Sequence, residues 1–326
     1  MDLDIVFLGT SASAPTARRA PSSLLIRRGG ERLLFDCGEG TQRQLLRSTV
    51  GLVDLEEIFI THYHADHYLG LPGMLKTFSL RMRELPLTIY GPPGLRDLFA
   101  SLDRVFGRLS YPLELVELRG GDWLDRDGYR ILVFPVVHGQ SAVGYALVED
   151  ERPGEFDVAT ADALGVPSGR ERGVLQRGGT VTLADGSTVA PEAVLGPKRA
   201  GRTIVYPGDT GPSDVVLALA AGADVLVHEA TFGADERARA VETMHSTAAD
   251  AAKVAHDAGV RLLALTHVSP RYFGPELLRE ARDVFANTIL PRDFDVVEVP
   301  FAERGEPTLV KNGAVPQRES DTTPPA

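Results

Sequence analysis

The sequence predicts an α/β layered domain, and two observations lead to this prediction. Short apolar runs typical of β-strands alternate with segments of helical periodicity over most of the 326 residues. Several of the apolar runs end in a histidine or an aspartate, which is where α/β sheets place their ligand crevice. We therefore expect a large core with a polar site along one edge of a sheet.

The alternation can be followed along the chain. The predicted strands of the first half are DIVFLGT, SSLLIR, ERLLFDCG, EEIFITH, PLTIYG, YPLELVEL, YRILVFPVVHG and AVGYALVED, and its predicted helices are GTQRQLLRS and PGLRDLFASLDRVF. The predicted strands of the second half are RTIVYPGDT, DVLVHEAT, RLLALTHVS and DFDVVEV, and its predicted helices are DVVLALAAG, STAADAAKVAHDAG and PELLREARDVF.

A segment of different composition separates the halves, from about Arg152 to Arg202, and it is rich in Gly, Pro, Arg and short polar turns. Because a loop of this length inside a compact domain is usually functional or disordered, we interpret it as an inserted arm. We expect one domain over residues 1–301, with the arm at about 152–202 inserted in it. Residues 302–326 lack apolar periodicity, which predicts a flexible tail.

Composition narrows the classes of protein. The apolar runs are too short to span a membrane and no export signal opens the chain, so we expect a cytoplasmic protein without a membrane partner. The single cysteine, Cys37, cannot form an intramolecular disulfide and leaves any metal site to His and carboxylate ligands. A net charge of −11 disfavours general affinity for nucleic acid, although a local basic patch can override it.

A cluster of potential metal ligands lies in the stretch THYHADHYLG, at residues 61 to 70. Side chains two apart share a face of an extended segment, so His62 and His64 can contact one ion while the next turn brings Asp66 and His67 to a second. Further candidates follow other apolar strands, namely His138, Asp209, His228 and His267. Imidazole and carboxylate ligands favour zinc, with manganese or iron as alternatives. A solvated His-rich turn and satisfied core or capping residues are the structural alternatives.

The cluster fits the H-x-H-x-D-H signature of the metallo-β-lactamase superfamily, whose fold is a four-layer αββα sandwich. Further stretches resemble ribonuclease Z, the endonuclease that trims tRNA 3′ ends, and these are FLGTSASAPT, FDCGEGTQRQLLR, GLPGML, YPGDT, HEATF and HSTAADAA. The resemblance extends from residue 3 to about 300. It implies a zinc-dependent endoribonuclease acting on precursor tRNA, with two Zn²⁺ per subunit and a homodimeric state. Because water attacks phosphorus, the expected products are a 3′-hydroxyl on the tRNA and a 5′-phosphate on the trailer.

Carried over to this sequence, the resemblance assigns roles to individual residues. The first zinc would be held by His62, His64 and His138, the second by Asp66, His67 and His267, and both by Asp209. Asp66 would also accept a proton from water, and His245 would protonate the departing 3′ oxygen. A local role near a helix cap at Ser246 is the alternative for His245. His228 and Glu229 would orient the ligands or His245, or would form a buried pair at a strand end.

The arm is the expected tRNA contact. From Ser168 to Arg202 it carries a net charge of +3, while the rest of the chain is acidic. Ribonuclease Z has an exosite arm here that holds the tRNA elbow, which implies tRNA contacts for Arg170, Arg172, Arg177, Lys198 and Arg199. The sequence departs from the family at the tip, where Gly169 is followed by Arg170 instead of proline. A solvated loop is the alternative for the arm.

Two other functions use the same features. A small-molecule phosphodiesterase, esterase or lactonase of the same superfamily would have the same metals, but it would not need the arm. A catalytically silent RNA-binding protein would not need a complete ligand set.

Overall fold

The computed structural model describes residues 1–52, 55–139 and 141–311. The strands are β1 (Leu3–Gly9), β2 (Ser23–Arg28), β3 (Glu31–Phe35), β4 (Glu57–Phe59), β5 (Leu87–Gly91), β6 (Leu113–Glu117), β7 (Trp123–Arg126), β8 (Tyr129–Pro135), β9 (Val143–Glu149), β10 (Val181–Thr182), β11 (Thr188–Val189), β12 (Thr203–Tyr206), β13 (Val225–Glu229), β14 (Leu262–Thr266), β15 (Thr288–Ile289), β16 (Val296–Glu298) and β17 (Thr308–Val310). The α-helices are α1 (Thr41–Arg47), α2 (Ala65–Tyr68), α3 (Gly70–Leu80), α4 (Leu95–Phe106), α5 (Val158–Ala163), α6 (Arg170–Gln176), α7 (Asp214–Ala220), α8 (Arg237–Glu242), α9 (Ala248–Ala258) and α10 (Pro275–Val284).

Two large sheets organise the described residues. The first has the order β17-β16-β1-β2-β3-β4-β5-β6, and the second has the order β15-β14-β13-β12-β9-β8-β7. Strands β3 to β6 are parallel to one another, as are β12 to β15. Because parallel strands end at the same edge, each sheet gathers several loops at its carboxyl edge, where ligand sites of α/β sheets form.

The alternation of side chains along the strands produces the layers. Ile5 and Phe7 of β1 lie in a core between the two sheets, whereas Val6 and Leu8 lie in a second core beneath α1, α3 and α4. A third core joins the second sheet to α7, α9 and α10. Because both faces of β1 are covered, its apolar run is nearly continuous, and a buried side chain such as Phe7 contributes about 1.5–3 kcal/mol. The layers follow the predicted αββα order.

The arm folds more completely than its composition predicts. It contains α5, α6 and the hairpin formed by β10 and β11. Its own small core consists of buried apolar side chains from these elements and the loops between them, namely Ala161, Val166, Leu175, Val181, Val189 and Val194. The expectation of a long loop of short turns is therefore wrong. Each element is too short to give a clear periodic signal, because α5 has six residues and α6 has seven.

Two predicted boundaries differ from the structure. The first sheet continues past residue 301, because β17 pairs with β16 through Val296 opposite Val310. The predicted tail over 302–326 therefore begins too early, and residues 312–326 of it lie outside the described residues. The helix after His245 is capped by Thr247 and not by Ser246, because Thr247 and Asp250 form a reciprocal capping box. Ser246 instead donates a 2.6 Å hydrogen bond to the carbonyl oxygen of Thr210.

None of the helices in the described ranges combines the length and the apolar character that crossing a membrane requires.

Candidate metal centre

The seven predicted ligands converge between the carboxyl ends of strands from both sheets. One group of ligand atoms lying within 4.8 Å of one another comes from His62, His64, His138 and Asp209, and a second comes from Asp66, His67 and His267. The loop after β4 and helix α2 supply the first four positions of the sequence cluster, and β8, β12 and β14 are each followed by one of the others. The fold thus brings together residues that are more than two hundred positions apart, such as Asp66 and His267, and their roles as ligands stay a prediction.

Asp209 lies between the two groups. Its Oδ2 atom is 3.3 Å from Nε2 of both His67 and His267, 3.7 Å from Nε2 of His62 and 3.9 Å from Nε2 of His138. A single carboxylate oxygen therefore faces both groups, which is the position that a bridging ligand requires.

The ring nitrogens at the centre of the cluster face one another or have no hydrogen-bond partner, an arrangement that suits cation binding. Nδ1 of His64 lies 3.1 Å from Nε2 of His138, and Nε2 of His67 lies 3.4 Å from Nε2 of His267. Nε2 of His62 is buried and has no hydrogen-bond partner among the described residues. Since an unpaired buried polar atom costs free energy, a lone pair aimed into a set of imidazoles and carboxylates indicates a site for a divalent metal ion.

The outer nitrogen of four of these imidazoles is held by a neighbouring oxygen. The Nδ1 contacts are His62 with Thr61 Oγ1 at 3.0 Å, His67 with Asp36 Oδ2 at 2.8 Å, His138 with the Met244 carbonyl at 3.0 Å and His267 with Thr231 Oγ1 at 2.8 Å. Such contacts select the tautomer that leaves Nε2 free to bind a metal. His64 differs, because its Nδ1 faces His138 within the cluster.

Asp36 is the residue of the site that sequence reasoning missed. It is fully buried, its Oδ2 accepts a 2.9 Å hydrogen bond from the Tyr206 hydroxyl, and its Oδ1 accepts a 2.8 Å hydrogen bond from the Thr61 amide. Its φ of 57° and that of His267 at 54° lie in the left-handed region, where non-glycine residues are uncommon and often mark functional sites. The signal in the sequence is its place directly after an apolar strand, in FDCGEG.

Glu229 connects His245 to the metal ligands. Its Oε1 lies 2.8 Å from Nδ1 of His245, and its Oε2 accepts a 2.5 Å hydrogen bond from Thr231, whose hydroxyl oxygen also contacts His267. Nδ1 of His245 is 4.0 Å from Oδ2 of Asp209. The buried carboxylate of Glu229 therefore positions the predicted general acid directly and a predicted ligand, His267, through Thr231.

Charge interactions in the cluster set the protonation of its groups. Burial disfavours the charged form of His67, but Asp209 and Asp36 outweigh burial and hold its pKa well above the usual value. Burial would raise the pKa of Asp209, yet the surrounding histidines, His267 first, keep it well below its usual range. The site thus keeps its carboxylate ionised, as a metal ligand must be.

His228 lies apart from this network. It is buried on β13, its Nδ1 is 2.9 Å from the backbone carbonyl of Glu229, and burial lowers its pKa. In the part of the chain that the structure describes, a third group of potential ligands consists of Asp209, His245 and His267, and none of the three groups includes His228. Among the described residues His228 has no hydrogen bond to a predicted ligand, whereas Glu229 contacts His245 directly and reaches His267 through Thr231.

Known proteins are similar in sequence to this chain over most of its length. It is 46% identical to ribonuclease Z of Methanosarcina acetivorans over 304 residues, covering 92% of this chain and 99% of that protein. It is also 46% identical to ribonuclease Z of Myxococcus xanthus over 305 residues, covering 92% and 99% of the two chains. The chain belongs to the ribonuclease Z family.

Comparisons with solved structures and with domain models identify the fold of this chain. The human tRNase Z short form, ELAC1, superposes with a TM-score of 0.67 at 28% identity, covering 91% of this chain and all of that one. A beta-lactamase superfamily domain model matches residues 186–268, and a model described as anti-Pycsar protein Apyc1 matches residues 3–103. These findings confirm the predicted metallo-β-lactamase sandwich and the resemblance to ribonuclease Z.

The basic residues predicted on the arm differ in what they contact. Arg172 donates hydrogen bonds to Asp162 and to the Val166 carbonyl, so it is used within the arm. Lys198 pairs with Glu151 at 3.3 Å, and Arg199 pairs with Glu303 at 3.4 Å. The side chains of Arg170 and Arg177, at the two ends of α6, are exposed. These two are the arm residues best placed to reach an external phosphate.

Fewer positive charges of the arm are free of a carboxylate partner than its net charge of +3 suggests. Arg202 is buried and donates to both carboxylate oxygens of Glu149, at 2.7 and 2.8 Å. Its guanidinium and that of Arg152 lie over the ring of Phe301, at 4.1 and 3.5 Å from the ring centre. Arg202 therefore belongs to the root of the arm, and its charge, which is part of the +3 of the segment, is paired with Glu149.

Proposed function

We propose that this chain is an endoribonuclease that cuts precursor tRNA at its 3′ side and releases the trailer. The observation that carries the proposal is the convergence of seven ligands from the two sheets on a site shared with a general-acid candidate, in a chain of the ribonuclease Z family. The proposed products are a tRNA with a 3′-hydroxyl and a trailer with a 5′-phosphate.

The centre would hold two divalent ions, and its ligands favour zinc, with manganese as the alternative. One ion would be held by His62, His64 and His138, the other by Asp66, His67 and His267, and both by Asp209. When bound, the pair would supply a nucleophile at neutral pH and stabilise the negative charge that develops on the phosphodiester.

Asp66 would serve as a ligand and as the group that accepts a proton from the attacking water. Its Oδ2 accepts a 2.7 Å hydrogen bond from the Ser13 amide and lies 3.3 Å from Nε2 of His267. Burial would raise its pKa, but the hydrogen bond and charge of His267 and the charge of His67 keep it far below the usual value. Asp66 is therefore ionised at neutral pH, which is the form that can accept a proton.

His245 would donate the proton that the departing 3′ oxygen needs. Burial would lower its pKa, but the charge and hydrogen bond of Glu229 outweigh burial and raise the pKa to about 9. Since Glu229 occupies Nδ1, the proton for transfer would be carried by Nε2. A histidine that remains protonated at neutral pH suits a general acid.

The arm would hold the body of the tRNA away from the metals. Arg170 and Arg177 would contact its phosphates, Arg172 would support the arm's fold, and Lys198 and Arg199, each already paired with a glutamate near the arm's root, would contribute less. This division follows from which of these side chains already have partners.

The protein would act as a homodimer in the cytoplasm. Leu46 on α1 and Leu80 on α3 are exposed, at 47% and 74%, and these two helices pack together. An interface formed by these two helices would bury both side chains. Light scattering of the purified protein gives the subunit number, and a monomer at working concentrations would contradict the proposed dimer.

The decisive experiment incubates the purified protein with a 3′-extended precursor tRNA and maps the cut and its end groups. We expect cleavage next to the acceptor stem, sensitivity to a chelator, and two metal ions per chain by elemental analysis. Hydrolysis of a small phosphodiester, with the precursor left intact, would instead favour the small-molecule hydrolase.

A further inference from the structure

A basic groove of about 630 Å³ lies between α1 and the loop at residues 15–21. We call it the arginine groove. Its charged and aromatic lining includes Arg18, Arg19, Arg43, Arg47, Arg292 and Phe273. In a chain with a net charge of −11, five guanidinium groups in one groove indicate a negatively charged partner.

The arginine groove lies beside segments that contact or precede residues of the metal centre. The Ser13 amide, which precedes the loop, donates to Asp66, and the Ala12 amide donates a 3.0 Å hydrogen bond to the carbonyl of Val268. A smaller cavity of about 330 Å³ is lined by Val268 and Ser269 and shares the 16–19 loop and Phe273 with the groove. A strand of RNA leaving the ligands Asp66 and His267 would therefore meet this groove.

Three of the five guanidinium groups of the groove are available to an external anion, whereas that of Arg19 donates to the Thr10 hydroxyl and the Pro291 carbonyl. The side chains of Arg18, Arg43 and Arg292 are exposed, and within the described ranges no carboxylate pairs with any of them. Two acidic side chains also line the groove, Glu39 and Asp293. Asp293 already accepts hydrogen bonds from Thr10, the Ala20 amide and Gln44, so its carboxylate is engaged inside the protein.

Aromatic side chains accompany the charges. Phe273 is 90% exposed and lines both cavities. The guanidinium of Arg47 lies 5.0 Å from the centre of the Phe294 ring, which fixes a flat cationic surface in the groove. A positive groove with exposed flat surfaces is typical of sites for single-stranded nucleic acid, because phosphates pair with arginine while unstacked bases lie on the rings.

We infer that the arginine groove binds the single-stranded 3′ trailer of the substrate, downstream of the cut. The inference rests on the proposed function and adds a second RNA contact to it, separate from the arm. The paired acceptor stem is the less suitable occupant, because its bases are stacked within the duplex and would leave Phe273 without a partner. Arg18, Arg43 and Arg292 would contact trailer phosphates, and Phe273 would stack on a base.

The test compares cleavage of two precursors that differ only in trailer length, one nucleotide and about ten nucleotides, a span typical of such grooves. In the wild-type protein the long trailer should lower KM. Phe273→Ala should raise KM for the long trailer roughly 5- to 150-fold, as expected when one base no longer stacks, and leave the short one unchanged. The double variant Arg43→Ala, Arg292→Ala should act in the same way and reduce the salt dependence of binding by about 0.7 in log-log slope per arginine.

Matched controls separate the groove from general charge and stability. Arg104→Ala with Arg108→Ala removes two exposed arginines at the end of α4, and Trp123→Ala removes an aromatic side chain that is 57% exposed. Both should leave the advantage of the long trailer intact. Equal weakening of long and short precursors by the groove variants would assign the groove to the acceptor stem and overturn the inference, as would no effect at all. Absence of cleavage of both precursors by the wild type would overturn the proposed function itself.

Discussion

Oδ2 of Asp36 lies 2.8 Å from Nδ1 of His67, and Asp36 contacts no other imidazole of the cluster among the described residues. The same oxygen accepts the Tyr206 hydroxyl, so a residue of the second sheet helps to hold a carboxylate of the first. This carboxylate fixes the His67 ring with Nε2 directed at Asp209 and His267. A group that is not itself a ligand thus connects the interface of the two sheets to the metal centre.

Asp36→Asn should weaken metal binding about 10- to 100-fold, because the amide no longer fixes the tautomer of His67 or raises the basicity of its Nε2. A competition titration with a zinc chelator measures this change. The matched control is Asp224→Asn, which alters another buried carboxylate. Asp224 directly precedes β13, at the end of the strand away from Glu229, where it accepts a hydrogen bond from the Thr203 amide and pairs with Arg261. Unchanged metal affinity in Asp36→Asn would show that the interaction of Asp36 with His67 does not tune the site.

Asp209→Ala should reduce the metal content at both positions, because its Oδ2 faces the imidazoles of both groups. His64→Ala, in contrast, should affect the first ion alone, since His64 belongs only to the group of His62, His138 and Asp209. Metal content per chain by mass spectrometry distinguishes the two results. Loss of one ion in Asp209→Ala, with the other retained at wild-type affinity, would contradict a bridging role.

His245→Ala should lower turnover of precursor tRNA by a factor of roughly 100 to 10,000, as expected for loss of a general acid. Metal content should stay at the wild-type level, because Glu229 and Thr231 still hold His267. Single-turnover kinetics and elemental analysis of the same sample test both parts. Loss of metal in His245→Ala would make His245 a ligand, a possibility raised by its position within 4.8 Å of Asp209 and His267 ligand atoms.

The pH dependence of turnover tests the pairing of His245 with Glu229. A general acid must be protonated, and the pKa of about 9 means that activity falls as pH rises through that value. Glu229→Gln removes the charge that raises this pKa, so the alkaline limb should move to lower pH. The wild-type protein and Glu229→Gln would hold the same ions, so the identity of these ions does not change the direction in which the alkaline limb should move. An alkaline limb that does not move in Glu229→Gln would assign it to another group.

The sequence predicts those parts of the protein whose signal is local. Continuous apolar strands such as β1 are recognised from their composition, and the ligand stretch is recognised because His62 and His64 are two residues apart. Asp36 could not be recognised in this way, because its importance depends on His67 and Tyr206, which reach it only in the folded chain. The same holds for the arm: whether Arg172 is free or paired depends on Asp162, ten residues away along the chain.

The arm's internal hydrogen bonds and ion pairs predict which of its arginines bind tRNA. Arg170→Ala with Arg177→Ala should weaken binding of precursor tRNA and lower its salt dependence by about 0.9 in log-log slope for each duplex phosphate that the variant no longer neutralises. The arm should stay folded, because neither side chain belongs to its core. A salt dependence equal to that of the wild-type protein would show that these two arginines do not bind phosphates.

Replacing residues 168 to 196 by a short Gly-Ser linker tests the whole arm. The linker removes α6, the β10–β11 hairpin and most of the arm's core, while Arg152 and Arg202 still lie over Phe301 at the root. Cleavage of precursor tRNA should fall strongly, and hydrolysis of a small chromogenic phosphodiester should persist, because the metal ligands lie outside the deleted segment. Arg172→Ala is the informative comparison, because Arg172 is bonded within the arm. This variant should lower the melting temperature of the arm more than it weakens RNA binding. Equal tRNA cleavage with and without the arm would remove the arm from substrate binding and leave that role to the arginine groove.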